Sequence, residues 1–126
     1  MSADRLVYIG TYTHPGRSEG IYIYRLDSAT GALAHVHTVA GVADPAFLAL
    51  APDGQHLYSV NWLKQYEGRP GGSISAFAVD GATGDLAFLN RQPAGGADPC
   101  HLCVDPSGRC VVVANHESGT VAVLPI

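Results

Sequence analysis

The 126 residues are 47% hydrophobic and 14% charged, which fits one packed domain on the usual prior of ~100–200 residues and is too apolar for a disordered chain. Net charge is −4, and the seven Lys and Arg are scattered along the chain. That excludes the basic patch of a nucleic-acid-binding surface, so no nucleic-acid partner is expected.

In chain order, ten segments have strand length and are rich in Val, Ile, Tyr and Phe: "LVYIGTY", "GIYIYRL", "LAHVHTV", "AFLALA", "HLYSVNW", "SISAFAV", "LAFLNRQ", "CHLCV", "CVVVAN" and "TVAVLPI". The clusters "DSATG", "APDG", "DGATG" and "DPSG" separate several of them, with Asp or Ser at turn starts and Gly where φ must be positive. No stretch sustains helical periodicity over three turns. The expectation is an all-β chain of ten strands without helix. No apolar run approaches the ~18 residues of a membrane span. "MSADRLVYIG" lacks a secretory h-region, and three cysteines are too few, and odd in number, for a disulfide framework. A cytoplasmic setting and no membrane partner are therefore expected.

The strands repeat. "DPAFLALAPDGQHLYSVN" (44–61) aligns without a gap on "DPCHLCVDPSGRCVVVAN" (98–115), pairing Asp44 with Asp98, Pro45 with Pro99, Leu48 with Leu102, Gly54 with Gly108 and Asn61 with Asn115. "DSATG" (27–31) likewise faces "DGATG" (80–84). Four antiparallel strands in a unit of ~40–50 residues read as a β-propeller blade. The chain then holds about two and a half blades: an incomplete one at 1–43, a complete one at 44–97 and an incomplete one at 98–126. A repeat buries its apolar faces against its neighbours. Two and a half blades leave two such faces open, so the remaining blades are expected in cis, with self-association of copies as the other way to complete the ring. The end in "TVAVLPI", in mid-blade, favours a piece of a longer chain.

Cys100 and Cys103 form a C-x-x-C around His101. On a strand, positions three apart point to opposite faces about 10 Å apart at ~3.3 Å per residue, beyond the ~7 Å reach of a disulfide. A redox C-x-x-C needs a helix start, and zinc needs two more close ligands. Buried strand cysteines are the expected reading, with no metal and no cofactor. If Asp105-Pro106-Ser107-Gly108 forms the hairpin turn, Cys103 lies opposite Cys110, as two adjacent free thiols.

His101 sits at the start of an inner strand, near the mouth where propellers bind ligands; it is either a functional imidazole or one satisfied by backbone carbonyls. Asn61 and Asn115 recur at the end of the second strand and read as turn chemistry or as ligand contacts. His116-Glu117 follows in a short solvated loop. Tyr12-Thr13-His14 and Trp62-Leu63-Lys64-Gln65-Tyr66 open two longer connections, and "LKQYEGRPGG" exceeds its counterpart "ESG", the kind of extra loop length that serves binding.

"YIGTYT…GIYIYRLDSATGAL", "PAFLALAPDGQHLYSVN" and "DPCHLCVDPSGRCVVVAN…SGTVAVL" together resemble the N-terminal third of the seven-bladed lactonase family, which includes propeller-type 6-phosphogluconolactonases and the fungal carboxymuconate lactonising enzyme. The resemblance implies hydrolysis of a small sugar lactone without a metal requirement. It also implies catalytic histidine, arginine and glutamate on later blades, in a Pro-Arg-His inner-strand start and an Asn-Glu second-strand end. The matching residues here are Pro99-Cys100-His101 and Asn115-His116, so histidine and asparagine are kept while Cys100 replaces arginine and His116 replaces glutamate. His101 is thus the candidate base, and Asn115, His116 and Asn61 are candidate substrate contacts. Lactone hydrolysis needs a base for water and a donor for the oxyanion. Only the first is visible here, so these residues alone are expected to be inactive. A non-enzymatic propeller module for ligand or protein binding is the alternative.

Overall fold

The alternating apolar runs form the strands that their period of two requires. A computed structural model describes residues 4–126; residues 1–3, part of the stretch read for a leader, lie outside the described residues. Twelve strands and no helix occur among the described residues: β1 (Arg5–Ile9), β2 (Gly20–Leu26), β3 (Leu33–Ala40), β4 (Leu48–Leu50), β5 (His56–Asn61), β6 (Gln65–Tyr66), β7 (Arg69–Pro70), β8 (Ser73–Val79), β9 (Leu86–Pro93), β10 (Pro99–Val104), β11 (Cys110–Asn115) and β12 (Thr120–Pro125). They make three antiparallel sheets in the orders β1-β2-β3, β4-β5-β8-β9 and β10-β11-β12, and a two-stranded ribbon β6-β7. The sequence expectation of ten strands is corrected by that ribbon. It lies inside "LKQYEGRPGG", its turn residues Glu67 and Gly68 have φ of 52° and 74°, and two-residue strands are too short to show alternation.

The middle sheet has the four antiparallel strands expected of a blade, and side-chain alternation gives it two apolar faces. Leu57, Phe77 and Leu86 pack on Ile21, Ile23 and Val42 of the first sheet and the segment after it. Tyr58, Val60 and Ile74 pack on Leu102, Val111 and Val113 of the third. Each sheet-to-sheet interface is thus its own core. On the far side of the third sheet, Val121 is 70% exposed, while Ile74 at the corresponding position of the middle sheet is 4% exposed. Nothing among the described residues covers that outer face.

Repetition reaches into the turns and irregularities. The outer strands β3 and β9 each carry one extra residue, Val36 and Leu89, at matching places. Asp27 Oδ1 accepts from the N–H groups of Ala29 and Thr30, and Asp80 Oδ1 from those of Ala82 and Thr83. These bonds hold both carboxyls below the ordinary carboxylate range. Gly31 and Gly84 close the turns at the same φ of 76°, which an L side chain rarely adopts.

The cysteines depart from expectation. All three are free; Cys103 is exposed, and Cys100 and Cys110 are half-buried. Cys103 lies on the uncovered face of the third sheet, which is why it is not the buried residue expected. Its strand partner is Val112, and Cys110 lies across from Pro125. The hairpin closes at Asp105, whose N–H donates to Cys110 O at 3.0 Å, so Arg109 joins Pro106, Ser107 and Gly108 in the loop and the register moves by two from a Cys103–Cys110 pairing.

Candidate functional site

At one end of the sheets the chain enters β4 and β10 and leaves β5 and β11. Asp44 and Asp98 precede the two inner strands, both buried and both at positive φ (39° and 54°). Each offers its carbonyl to the residue that leaves the second strand: Trp62 N–H donates to Asp44 O at 3.0 Å, and His116 N–H donates to Asp98 O at 2.9 Å. Each carboxylate turns to the preceding sheet. Asp44 Oδ1 accepts from Thr13 N–H (2.6 Å), His14 N–H (3.0 Å) and the Thr13 hydroxyl (3.2 Å), while Oδ2 pairs with His14 Nδ1. Asp98 Oδ2 pairs with Lys64 Nζ at 3.3 Å, its N–H donates to Leu63 O at 3.1 Å, and its buried Oδ1 has no hydrogen-bond partner among the described residues. Lys64 also donates to Glu117 Oε2 at 2.7 Å.

These contacts set the charges. Burial alone would raise the Asp44 carboxyl, but the bonds from His14 and Thr13 outweigh it and hold it below the ordinary carboxylate range. Lys64 is raised by its bond to Glu117 and then by Asp98, and Glu117 is lowered by Lys64. Lys64 is therefore an ammonium already held between two carboxylates.

The antiparallel pairing of β10 with β11 sets Pro99 opposite Asn115 and His101 opposite Ala114. The register shifts between Pro99 and His101, so Cys100 sits in the irregularity, with its Sγ 3.7 Å from Ala114 O. His101 is exposed, and its ring lies against Phe47 of the preceding inner-strand entry, with centroids 4.2 Å apart. Asn61 is fully buried at the corresponding place in the middle sheet. Its Nδ2 donates to Ala43 O (2.7 Å), and its Oδ1 accepts from the hydroxyls of Ser73 (3.0 Å) and Ser75 (2.7 Å). Asn115 is also buried. Its Nδ2 donates to Ala94 O (2.9 Å) and Thr120 Oγ1 (3.3 Å), while its Oδ1 has no partner among the described residues. His116 is exposed.

One relation escapes motif reading. Continuing the β1–β2 register from Ile9↔Tyr22 puts Thr11 opposite Gly20, as Asn61 lies opposite Ser73 and Asn115 opposite Thr120. The next residues, Tyr12, Trp62 and His116, therefore hold one position in three successive sheets. Their rings form a chain: Tyr12 to Trp62 is 5.5 Å between centroids, edge to face, and Trp62 to His116 is 6.5 Å. The signal was available as the position after each strand-end Thr or Asn, but the unequal loops that follow hide the alignment.

Among the described residues, no group of three or more His, Cys, Asp or Glu is placed to hold a metal ion. A cavity of about 590 Å³ lies elsewhere, between β9 and the end of β12, with Leu89, Val111, Val123 and Ile126 in its walls. It is a gap beside the last strand of the third sheet. The site end instead combines an exposed imidazole, a row of rings and a neutralised lysine.

The family described as lactonase, 7-bladed beta-propeller, matches residues 6–126. The chain is 38% identical over 119 residues to a 6-phosphogluconolactonase of Bacillus subtilis, covering 94% of this chain and 32% of that protein. It is 29% identical over 122 residues to a 6-phosphogluconolactonase of Formosa agariphila, covering 95% of this chain and 33% of that one. Among solved structures, the periplasmic gluconolactonase of Pseudomonas aeruginosa superposes with a TM-score of 0.84 at 34% identity, over 98% of this chain and 34% of that one. The chain thus spans about a third of the length of these relatives.

Proposed function

Since the chain belongs to the seven-bladed β-propeller lactonase family, we propose that it serves as part of a propeller that hydrolyses a sugar lactone such as 6-phosphogluconolactone. The observation that carries the reading is the exposed imidazole of His101 at the entry of an inner strand, against Phe47. In this mechanism His101 takes a proton from water as its oxygen bonds to the lactone carbonyl carbon. The tetrahedral oxyanion then collapses, the ring C–O bond breaks, and the leaving alkoxide recovers the proton to give the hydroxy acid. The oxyanion needs a donor. Lys64 is already engaged by Asp98 and Glu117, so we assign that donor to further blades that complete the ring in cis, and we expect no turnover from these 126 residues alone. His116 meets the substrate at the rim, while Asn115 and Asn61, being buried, act by holding the strand ends.

Three unpaired cysteines support a reducing, cytoplasmic setting for this chain. The test is lactone hydrolysis, followed by acid release, in the protein at full native length. His101→Gln should lower kcat/KM by about 10²–10⁴-fold, with an unchanged circular dichroism spectrum. Because a propeller fold does not dictate its function, the second reading is a non-enzymatic binding module. Complete absence of turnover in the full-length protein would select it.

A further inference from the structure

At Trp62 and His116 the fold uses the main chain, not the rings. The N–H groups of Trp62 and His116 close onto Asp44 and Asp98, and neither apolar core includes the side chain of Tyr12, Trp62 or His116. Tyr12 is 56% exposed and His116 is exposed. The three side chains differ in size and polarity, and share only a planar ring. A repeat position that lies outside both apolar cores, half-buried at Trp62, yet carries a ring in three successive sheets, with adjacent rings 5.5 and 6.5 Å apart, is a row of rings at the end of the sheets where the second strands exit.

We propose that Tyr12, Trp62 and His116 form a stacking ledge for the uncharged face of a sugar ring, and so position a lactone for the base at His101. This rests on the lactonase reading. The ring C–H bonds of a sugar carry partial positive charge and meet the negative face of an aromatic ring, while Tyr and Trp keep a polar tip for its hydroxyls. The charges that follow Trp62 and His116 in the chain argue for the ring over a phosphate: Lys64 is held by Glu117 at 2.7 Å and by Asp98 at 3.3 Å, so two carboxylates meet one ammonium. The ledge reads the sugar ring, and any phosphate on it is bound elsewhere.

The test measures hydrolysis of glucono-1,5-lactone and its 6-phosphate by the full-length protein and its Trp62→Ala, Trp62→Phe and Tyr12→Ala variants, each checked for an unchanged melting temperature. Trp62→Ala should raise KM about tenfold for both substrates, the size of one lost aromatic contact, and Trp62→Phe should restore it to within about threefold. Loss of ground-state binding appears in KM with little change in kcat. Tyr12→Ala should act in the same direction if Trp62→Ala proves unstable. KM values unchanged by both truncations, or raised for the phosphorylated lactone alone, overturn the ledge and leave the lactonase reading standing. If the wild type turns over neither lactone, the lactonase reading fails, and the ledge is decided by titrating the stable ring analogue gluconolactam. Binding that weakens in Trp62→Ala and recovers in Trp62→Phe supports the ledge, and lack of binding to the wild type overturns it.

Discussion

Asn61 and Asn115 are one repeat position with two hydrogen-bond environments, and replacing each with alanine separates them. Asn61→Ala removes three bonds from a site where Asn61, Ser73 and Ser75 are all fully buried: the donor to Ala43 O and the acceptor for two hydroxyls. A net hydrogen bond contributes about 0.5–1.5 kcal/mol, and each buried group left unpaired costs about 1–3 kcal/mol. Ser75 keeps a contact from Arg91 Nε at 3.4 Å, which softens the loss on that side. The expected cost is roughly 3–5 kcal/mol. Asn115→Ala loses donation to Ala94 O and Thr120 Oγ1, but it also removes the unpartnered Oδ1. The expected cost there is about 1–2 kcal/mol. Urea denaturation with a common slope reads the difference as a shift of midpoint. Equal costs, or a larger cost for Asn115→Ala, would refute the claim that Asn61 is the hydrogen-bonded hub of the blade.

Two further outcomes follow from contacts at the same end of the sheets. A Cβ at Gly96 would lie 2.5 Å from Thr120 Oγ1 and 2.8 Å from Asn115 Cβ, so Gly96→Ala should cost about 1–3 kcal/mol by overpacking the interface of the middle and third sheets; an unchanged urea midpoint would contradict that packing. Asp44 titrates below its ordinary 3.8 in the fold, so the unfolded chain takes up that proton first: its stabilisation is complete above about 3.8 and is lost as pH falls through the lower folded value. Urea midpoints from pH 5 to pH 2 should therefore fall less steeply in Asp44→Asn than in wild type, and parallel acid limbs would remove Asp44 from the linkage.

Much of the fold was legible because its physics is local and repeated. The alternation in "HLYSVN" places Leu57 in one core and Tyr58 and Val60 in the other, and that pattern needs no knowledge of the neighbouring sheets. The Asp27 and Asp80 turns could be read for the same reason, since each Asp satisfies N–H groups two and three residues on. Two features could not be read. The β6–β7 ribbon is fixed by the single turn at Glu67-Gly68, with no hydrophobic period to announce it. The β10–β11 register depends on whether the hairpin loop includes Arg109, and that choice moves Cys103 from Cys110 to Val112.

The site divides along the same line. Identity between units marks what every blade needs, and so it finds Asp44 and Asp98, whose carbonyls close onto the second-strand exit in both sheets. Their carboxylates meet different partners, because Thr13-His14 of the first sheet stands where Leu63-Lys64 stands in the second. Asp44 gains four bonds from Thr13 and His14. Asp98 gains a lysine and keeps a bare Oδ1. A feature built from unlike residues at like positions is invisible to a search for repeats, and the ledge of Tyr12, Trp62 and His116 is such a feature. It becomes visible only when strand register supplies the alignment that the sequence withholds. In a repeat fold, the blade scaffold should therefore be sought where units agree, and the chemistry where register says they should agree and the side chains do not.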